Sequence, residues 1–332
     1  MIVRIPKYYE DFHCIASACP DSCCTEWEVD VDAQAAAFYR SLEGDLGDRL
    51  RQVLMDTEDG TVMTIENHRC PMWRQDGLCR IQAELGHEAL CQVCREFPRL
   101  RHDYGDFVEY GLELSCPEAA RLILSQSHKW VEKEVPGGDA PDYEEDVMAI
   151  LLESRKTILD FLESTSLAPN LALTVLLLYA HEVQSWIDGD APAALDVTAC
   201  LQTAKQYAAK GNWVLLLDFF KNLEILTPQW QMLLAAPAVS TEWSNGFFAL
   251  MRYFIGRYWL QAVSDYDLIC RAKFIITACL LIHHLGGNFQ ETAQLFSKEI
   301  ENDPDNLEAI LDGAYSSPAL TDVHLLSLLQ NG

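Results

Sequence analysis

The chain has 332 residues, and 49% hydrophobic with 22% charged residues describe a folded globular protein long enough for about two domains. Its 24 Lys+Arg against 50 Asp+Glu give a formal charge of −26, which repels nucleic-acid phosphates and anionic lipids and suits a cationic partner. The most apolar runs, 171–180 and 274–282, fall short of the roughly 18 to 20 residues of a spanning helix. The start, MIVRIPKYYE, carries no apolar signal segment, so no transmembrane segment and a cytoplasmic location are expected.

In chain order, 32–40 and 46–55 have the spacing of amphipathic helical turns, and 61–65 alternates like a short strand. Gln75-Asp76-Gly77 signals a turn just before Cys79. Leu85-Gly86-His87 separates two helical turns, the second carrying Cys91 and Cys94 before Phe97-Pro98 stops it. Residues 99–102 and 107–114, joined by Asp103-Tyr104-Gly105-Asp106, read as a β-hairpin. Pro117 opens a helix through Leu124 and sets Cys116 at its positive end, where a thiolate is favoured. The stretch 129–142, with Pro-Gly-Gly-Asp-Ala-Pro-Asp, reads as a linker. Beyond it only helices are expected, over 143–163, 170–188, 193–209, 212–225, 241–263, 266–285 and 289–300. Stripes such as Val175, Leu176, Tyr179 and Val183 are core, as are Trp243, Phe247, Phe248, Tyr253, Phe254, Tyr258 and Trp259 unless they line a pocket. The fold class is therefore mostly α: a cysteine-rich metal or Fe–S domain with a small β-hairpin (1–128), the linker, and an all-helical domain (143–332).

The cysteines are unevenly spread. Of twelve, Cys200, Cys270 and Cys279 sit in apolar helices and act as small buried hydrophobes. The other nine, Cys14, Cys19, Cys23, Cys24, Cys70, Cys79, Cys91, Cys94 and Cys116, crowd the N-terminal third. In a reducing compartment such a set points to metal rather than disulfides. Cys91-x2-Cys94 is a chelating pair of the kind zinc uses, whereas adjacent Cys23 and Cys24 seldom bind one ion together. An iron–sulfur cluster tolerates ligands from distant segments. Spacing alone leaves zinc and iron–sulfur open, as it does one site or two.

Absent motifs narrow the chemistry. There is no G-x-G-x-x-G, P-loop, H-E-x-x-H or G-x-S-x-G. The C-x3-C-x2-C spacing of radical S-adenosylmethionine enzymes fails at Glu26.

Read together, these blocks resemble the flagellin lysine-N-methylase (FliB-type) family, related to the CxxCxxCC cysteine-cluster proteins. The matching pieces are Tyr8-Tyr9-Glu10-Asp11-Phe12-His13-Cys14, Cys19-Pro20-Asp21-Ser22-Cys23-Cys24 with Trp27, and Cys70-Pro71-Met72-Trp73. Gly77-Leu78-Cys79-Arg80-Ile81, 90–99 around Cys91 and Cys94, and 114–122 around Cys116 complete them, all within about the first 125 residues. The resemblance implies methyl transfer from S-adenosylmethionine to lysine side chains of flagellin or another lysine-bearing protein. It also implies an iron–sulfur cluster of the 4Fe–4S type, with zinc as the alternative, and a role for all nine cysteines without saying which four ligate.

Such chemistry needs a neutral amine. At pH 7, deprotonating a free lysine costs about 4.6 kcal/mol, which burial or a nearby base must offset. Tyr8, Tyr9, Tyr104, Tyr110 and Glu113 lie near cysteine blocks and suit that task, without any being singled out. Without a Rossmann loop the donor is held otherwise, for instance by an iron with an open coordination position. Two other classes fit the same residues: a zinc-stabilised adaptor without catalysis, and an iron–sulfur electron carrier or metallochaperone.

Overall fold

The structure is a computed structural model and describes residues 1–25, 27–126, 129–207, 211–240 and 242–331. The end of the expected helix 193–209, the first residue of 241–263 and the boundary residue 128 lie outside the described residues.

Two small sheets hold the N-terminal region. Strands β1 (Ile2–Pro6), β2 (Val29–Val31), β3 (Leu54–Asp56), β4 (Thr61–Met63), β5 (Arg99–Asp103), β6 (Phe107–Leu112) and β7 (Trp130–Glu134) divide into orders β5-β6-β1-β7 and β2-β4-β3. The expected hairpin is β5–β6, antiparallel in register Arg99↔Leu112. Strand β1 joins it in parallel, Ile2 opposite Phe107, and β7 closes the far edge antiparallel to β1. Residues 130–134, inside the stretch read as a linker, are thus paired strand. The only apolar residues of 130–134, Trp130 and Val131, are adjacent, so no strand alternation reveals a partner so far back in the chain.

Helices α1 (Ala33–Ser41) and α2 (Gly44–Val53) pack beside the second sheet. Asp32 caps α1, accepting from the Ala35 amide at 2.9 Å. Short helices α3 (Arg80–Leu85) and α4 (Gln92–Glu96) flank Gly86, and α5 (Pro117–Ser125) starts with proline at its first turn, as expected.

From Glu145 onward the chain is helical: α6 (Glu145–Ser164), α7 (Pro169–Ile187), α8 (Val197–Ala204), α9 (Trp213–Lys221), α10 (Pro228–Ala235) and α11 (Gly246–Tyr258). There follow α12 (Leu268–Leu285), α13 (Phe289–Phe296), α14 (Pro304–Ser316) and α15 (Asp322–Asn331). Helices α10, α14 and α15 were not among the expected spans, although α10 and α14 each have a capping residue, Thr227 or Asp303, and a proline just inside. A π-turn over 297–301 ends the α13 segment.

Helix α12 needs a correction. Taken whole, its 18 residues are long and apolar enough to cross a membrane by length and composition, yet all of them are buried inside the fold. It is the central core helix. Each buried Leu, Ile or Phe on it contributes about 1.5–3 kcal/mol of transfer free energy. The stripe Val175, Leu176, Tyr179 and Val183 is buried, as are Phe247, Tyr253, Phe254, Tyr258 and Trp259, and so are Cys200, Cys270 and Cys279.

Two hydrophobic cores result. One, centred on Tyr39, Leu50, Met72 and Ile81, lies between residues 29 and 94. The other joins Tyr8, Phe12, Leu112, Leu114 and the apolar face of α5 to the helices. The loop carrying Cys14 to Cys24 runs between segments belonging to these two cores.

Candidate functional site

The sulfurs are gathered by backbone first. The Cys70 amide donates to the Cys24 carbonyl at 2.8 Å, and Thr25 bridges Arg69, which brings the 23–24 and 70–73 segments side by side. Trp73 bridges Cys79 across a turn in which Gly77 has φ +79°, a conformation glycine adopts without strain. The second oxygen of Asp32 accepts from the Gln92 amide at 2.8 Å, and the Tyr39 hydroxyl donates to the Ala89 carbonyl at 2.8 Å. These two bonds pin the Cys91–Cys94 segment onto α1.

The outcome is one electrostatically connected set. Cys23 is sensed by Cys19, Cys24, Cys70, Cys79, Cys94 and Cys116, while Cys14 is sensed by Cys19, and Cys91 by Cys70 and Cys94. Within it the thiols pair. The Cys24 thiol hydrogen-bonds Cys23 and Cys70, bringing Cys23 down to about 7 and also lowering Cys70, while Cys24 itself is pushed far up. Cys94 does the same for Cys91, which falls to about 7. A shared proton between two sulfurs explains both directions. Cys116 differs from the expectation. Burial raises it to about 12, outweighing the Glu118 and Ala119 amides at the start of α5. As the side chains stand, no group of three or more His, Cys, Asp or Glu among the described residues is arranged to hold a metal ion. The donor type, nine soft thiols in one neighbourhood, suits an iron–sulfur or zinc centre; closure around one would need rotamer changes.

The helical region reaches into this set through residues the sequence did not single out. In the π-turn, Lys298 is 3% exposed and donates to both Asp21 oxygens at 3.1 Å and to Thr25 Oγ1 at 3.2 Å, with its ammonium 5.2 Å from the Trp27 ring. Gln294 donates to Asp21 at 3.1 Å and to the Ser115 carbonyl at 2.6 Å. The Cys19–Cys24 loop is therefore clamped through its only intervening acid, Asp21.

No family model and no solved structure matches the chain. Flagellar biosynthetic protein FliU of Salmonella muenchen is 30% identical over 136 residues, 37% of this chain and 77% of FliU. The chain belongs to the flagellin lysine-N-methylase family. The proteins named Lysine-N-methylase from Salmonella choleraesuis and Salmonella typhimurium are also 30% identical over 136 residues, but the match spans only 32% of their length.

In this member of the flagellin lysine-N-methylase family, strand β6 leads from the thiol region to a cleft. Just past β6, Glu113 accepts from Ser115 Oγ at 3.2 Å, and burial raises its carboxyl, with Arg257 opposing and Glu301 reinforcing. Glu301 is buried, accepts from the Tyr258 hydroxyl at 2.8 Å and from Tyr253 at 3.2 Å, and forms an ion pair with Arg257 at 3.2 Å. Burial also raises Tyr8, Tyr9 and Tyr104, which keeps these phenols protonated. Beyond lies a cleft of about 600 Å³, open mouth included, between β5–β6, Trp130 of β7 and helices α6 and α11. Tyr8 and Tyr110 line it; Tyr9 packs against Tyr110 with ring centroids 5.7 Å apart, and Tyr104 stacks on Phe107. Arg257, in the largely apolar α11, was the available sequence signal for this network, whereas Lys298 and Glu301 stand in the charged run Ser297–Glu301 and offered none.

Proposed function

We propose that this chain is a protein-lysine N-methyltransferase that moves a methyl group from S-adenosylmethionine to lysine side chains of flagellin or a similar cytoplasmic protein. We further propose that its nine N-terminal cysteines hold an iron–sulfur centre of the 4Fe–4S type, with zinc as the alternative. The observation that carries this reading is the convergence of thiols from four separate segments on Cys23, in a chain whose relatives include proteins named Lysine-N-methylase.

Cys23, Cys24, Cys70, Cys91 and Cys94 are the first candidates for ligands, because their hydrogen-bonded pairs already favour one thiolate each. A bound centre would supply a Lewis-acidic anchor and fix the loop that Lys298 grips. The chain's own residues supply the proton chemistry. Glu113 would take the proton released from the lysine Nε as its lone pair forms the N–CH3 bond and the donor sulfur keeps the electron pair of the broken S–CH3 bond. Its raised carboxyl is the better base among the residues flanking the cysteine blocks, since the buried tyrosines hold their protons. The acidic surface favours approach of a lysine-bearing substrate, more so at low salt.

The test is anaerobic purification with iron, sulfide and zinc analysis, beside mass spectrometry of co-expressed flagellin. Iron with sulfide, absorbance near about 400 nm and methyl-lysine that is lost in Cys23→Ala are expected. Metal-free protein and unmodified lysines would overturn the proposal.

A further inference from the structure

The cleft contrasts with the rest of the chain. On a protein of net charge −26, its walls carry Arg252, Arg257 and His102. Two carboxylates, Glu109 and Glu163, share those walls. Glu109 is 2% exposed and takes a bidentate pair from Arg155 at 2.7 and 2.5 Å and a third contact from Arg4 at 3.3 Å. Arg257 is held by Glu301. Arg252 is different. Half-buried on α11, it forms no hydrogen bond or ion pair among the described residues; Glu163, which lines the same cleft, acts on it through its charge. His102 Nε2 is buried without a partner, and burial, followed by Arg257, brings the ring down to about 4, so it is neutral and can present an N–H. An unpaired guanidinium and an unpaired imidazole nitrogen on one cleft call for an acceptor-rich anion.

The remaining walls are flat and apolar. Trp130 stands on the edge strand β7, free of any further strand on its outer side. Gly256 faces it: a Cβ there would lie 3.6 Å from Trp130 Cζ2, so α11 comes close to the ring. Tyr110 and Leu112 of β6 lie on the opposite wall. The cleft's volume of about 600 Å³, open mouth included, is within the range of small-molecule sites.

We infer that this cleft is a binding site for a small carboxylate ligand carrying a heteroaromatic base, the anion meeting Arg252 and His102 and the base stacking against Trp130 or Tyr110. Resting on the methyltransferase reading, the ligand is the methyl donor, whose amino-acid end and adenine supply those two groups. The site offers a protein-based hold for a donor in a chain without a nucleotide-binding loop.

Isothermal titration of the full-length, anaerobically purified protein tests this with S-adenosylhomocysteine and adenosine as probes. Arg252→Gln is chosen because its side chain makes no hydrogen bond or ion pair among the described residues, so the fold should survive; a melting curve checks it. S-adenosylhomocysteine should bind about 10- to 100-fold more weakly to Arg252→Gln, the loss expected for one charge-assisted contact. Adenosine, lacking the carboxylate, should bind Arg252→Gln and the unmodified chain equally, and Trp130→Ala should weaken both probes. If S-adenosylhomocysteine binds all three proteins alike, the cleft proposal falls while the methyltransferase reading stands. If it does not bind the unmodified chain, both fall.

Discussion

Removing either member of the Lys298–Asp21 pair should destabilise the protein unequally. Lys298 is nearly fully buried, whereas the Asp21 side chain is 33% exposed. With Asp21→Asn, the ammonium keeps Thr25 Oγ1, the Trp27 face and one amide oxygen but loses its counter-charge, and an uncompensated buried charge costs about 3–5 kcal/mol. With Lys298→Met, the methylene stem is largely retained, and Asp21 keeps water, the Gln294 amide and the Ser22 N–H, so the cost is about 1 kcal/mol. The double variant should lie near the Lys298→Met value, a coupling of about 3 kcal/mol. Urea denaturation followed by tryptophan fluorescence supplies all four corners of the cycle. Equal costs for the two single variants, or strict additivity, would refute the view that the helical region grips the thiol loop through a buried charge.

Other predictions are briefer. His102 and His283 both have folded values near 4, below the ordinary histidine value, so their stabilising contribution is complete above about pH 6.5 and is lost as pH falls toward 4. At pH 5 the loss is about 1–2 kcal/mol for each. His283 stacks on Trp243 at 4.0 Å with both ring nitrogens buried and unpartnered, next to His284, so His283→Phe should flatten thermal stability between pH 7 and 5; an unchanged slope would count against this. In chelator-treated protein at neutral pH, mass mapping of iodoacetamide labelling should find Cys23 modified before Cys19 and far before Cys116, since Cys23 is exposed and lowered while the other two are raised. Arg155→Met should cost about 3–5 kcal/mol by stranding Glu109, and adding Glu109→Leu should recover most of it in chemical denaturation.

Local signals were legible in the sequence where they were self-contained. The Asp103–Asp106 turn fixed the hairpin, Pro117 fixed the start of α5, and the density of thiols marked the N-terminal third. Strands β1 and β7 were not legible, because their five residues acquire meaning only from partners more than a hundred positions away. The same holds for Lys298, whose partner Asp21 is 277 residues distant. Favouring a thiolate at Cys116 weighed the helix terminus and not burial, and burial is the stronger effect there. Judging α12 from the run 274–282 alone missed that the full 268–285 span is long and apolar enough to cross a membrane by length and composition, while its depth in the fold decides its role.

The π-turn at 297–301 packs an extra residue into one helical loop. Because of it, a five-residue stretch aims Lys298 at the loop of Cys19 to Cys24 and Glu301 at Tyr253, which borders the cleft. Any rearrangement of that loop therefore pulls on a lever whose far arm rests beside the cleft. Excising one residue from the turn would swing one of those two arms off its target, uncoupling the halves of the molecule without touching a single sulfur.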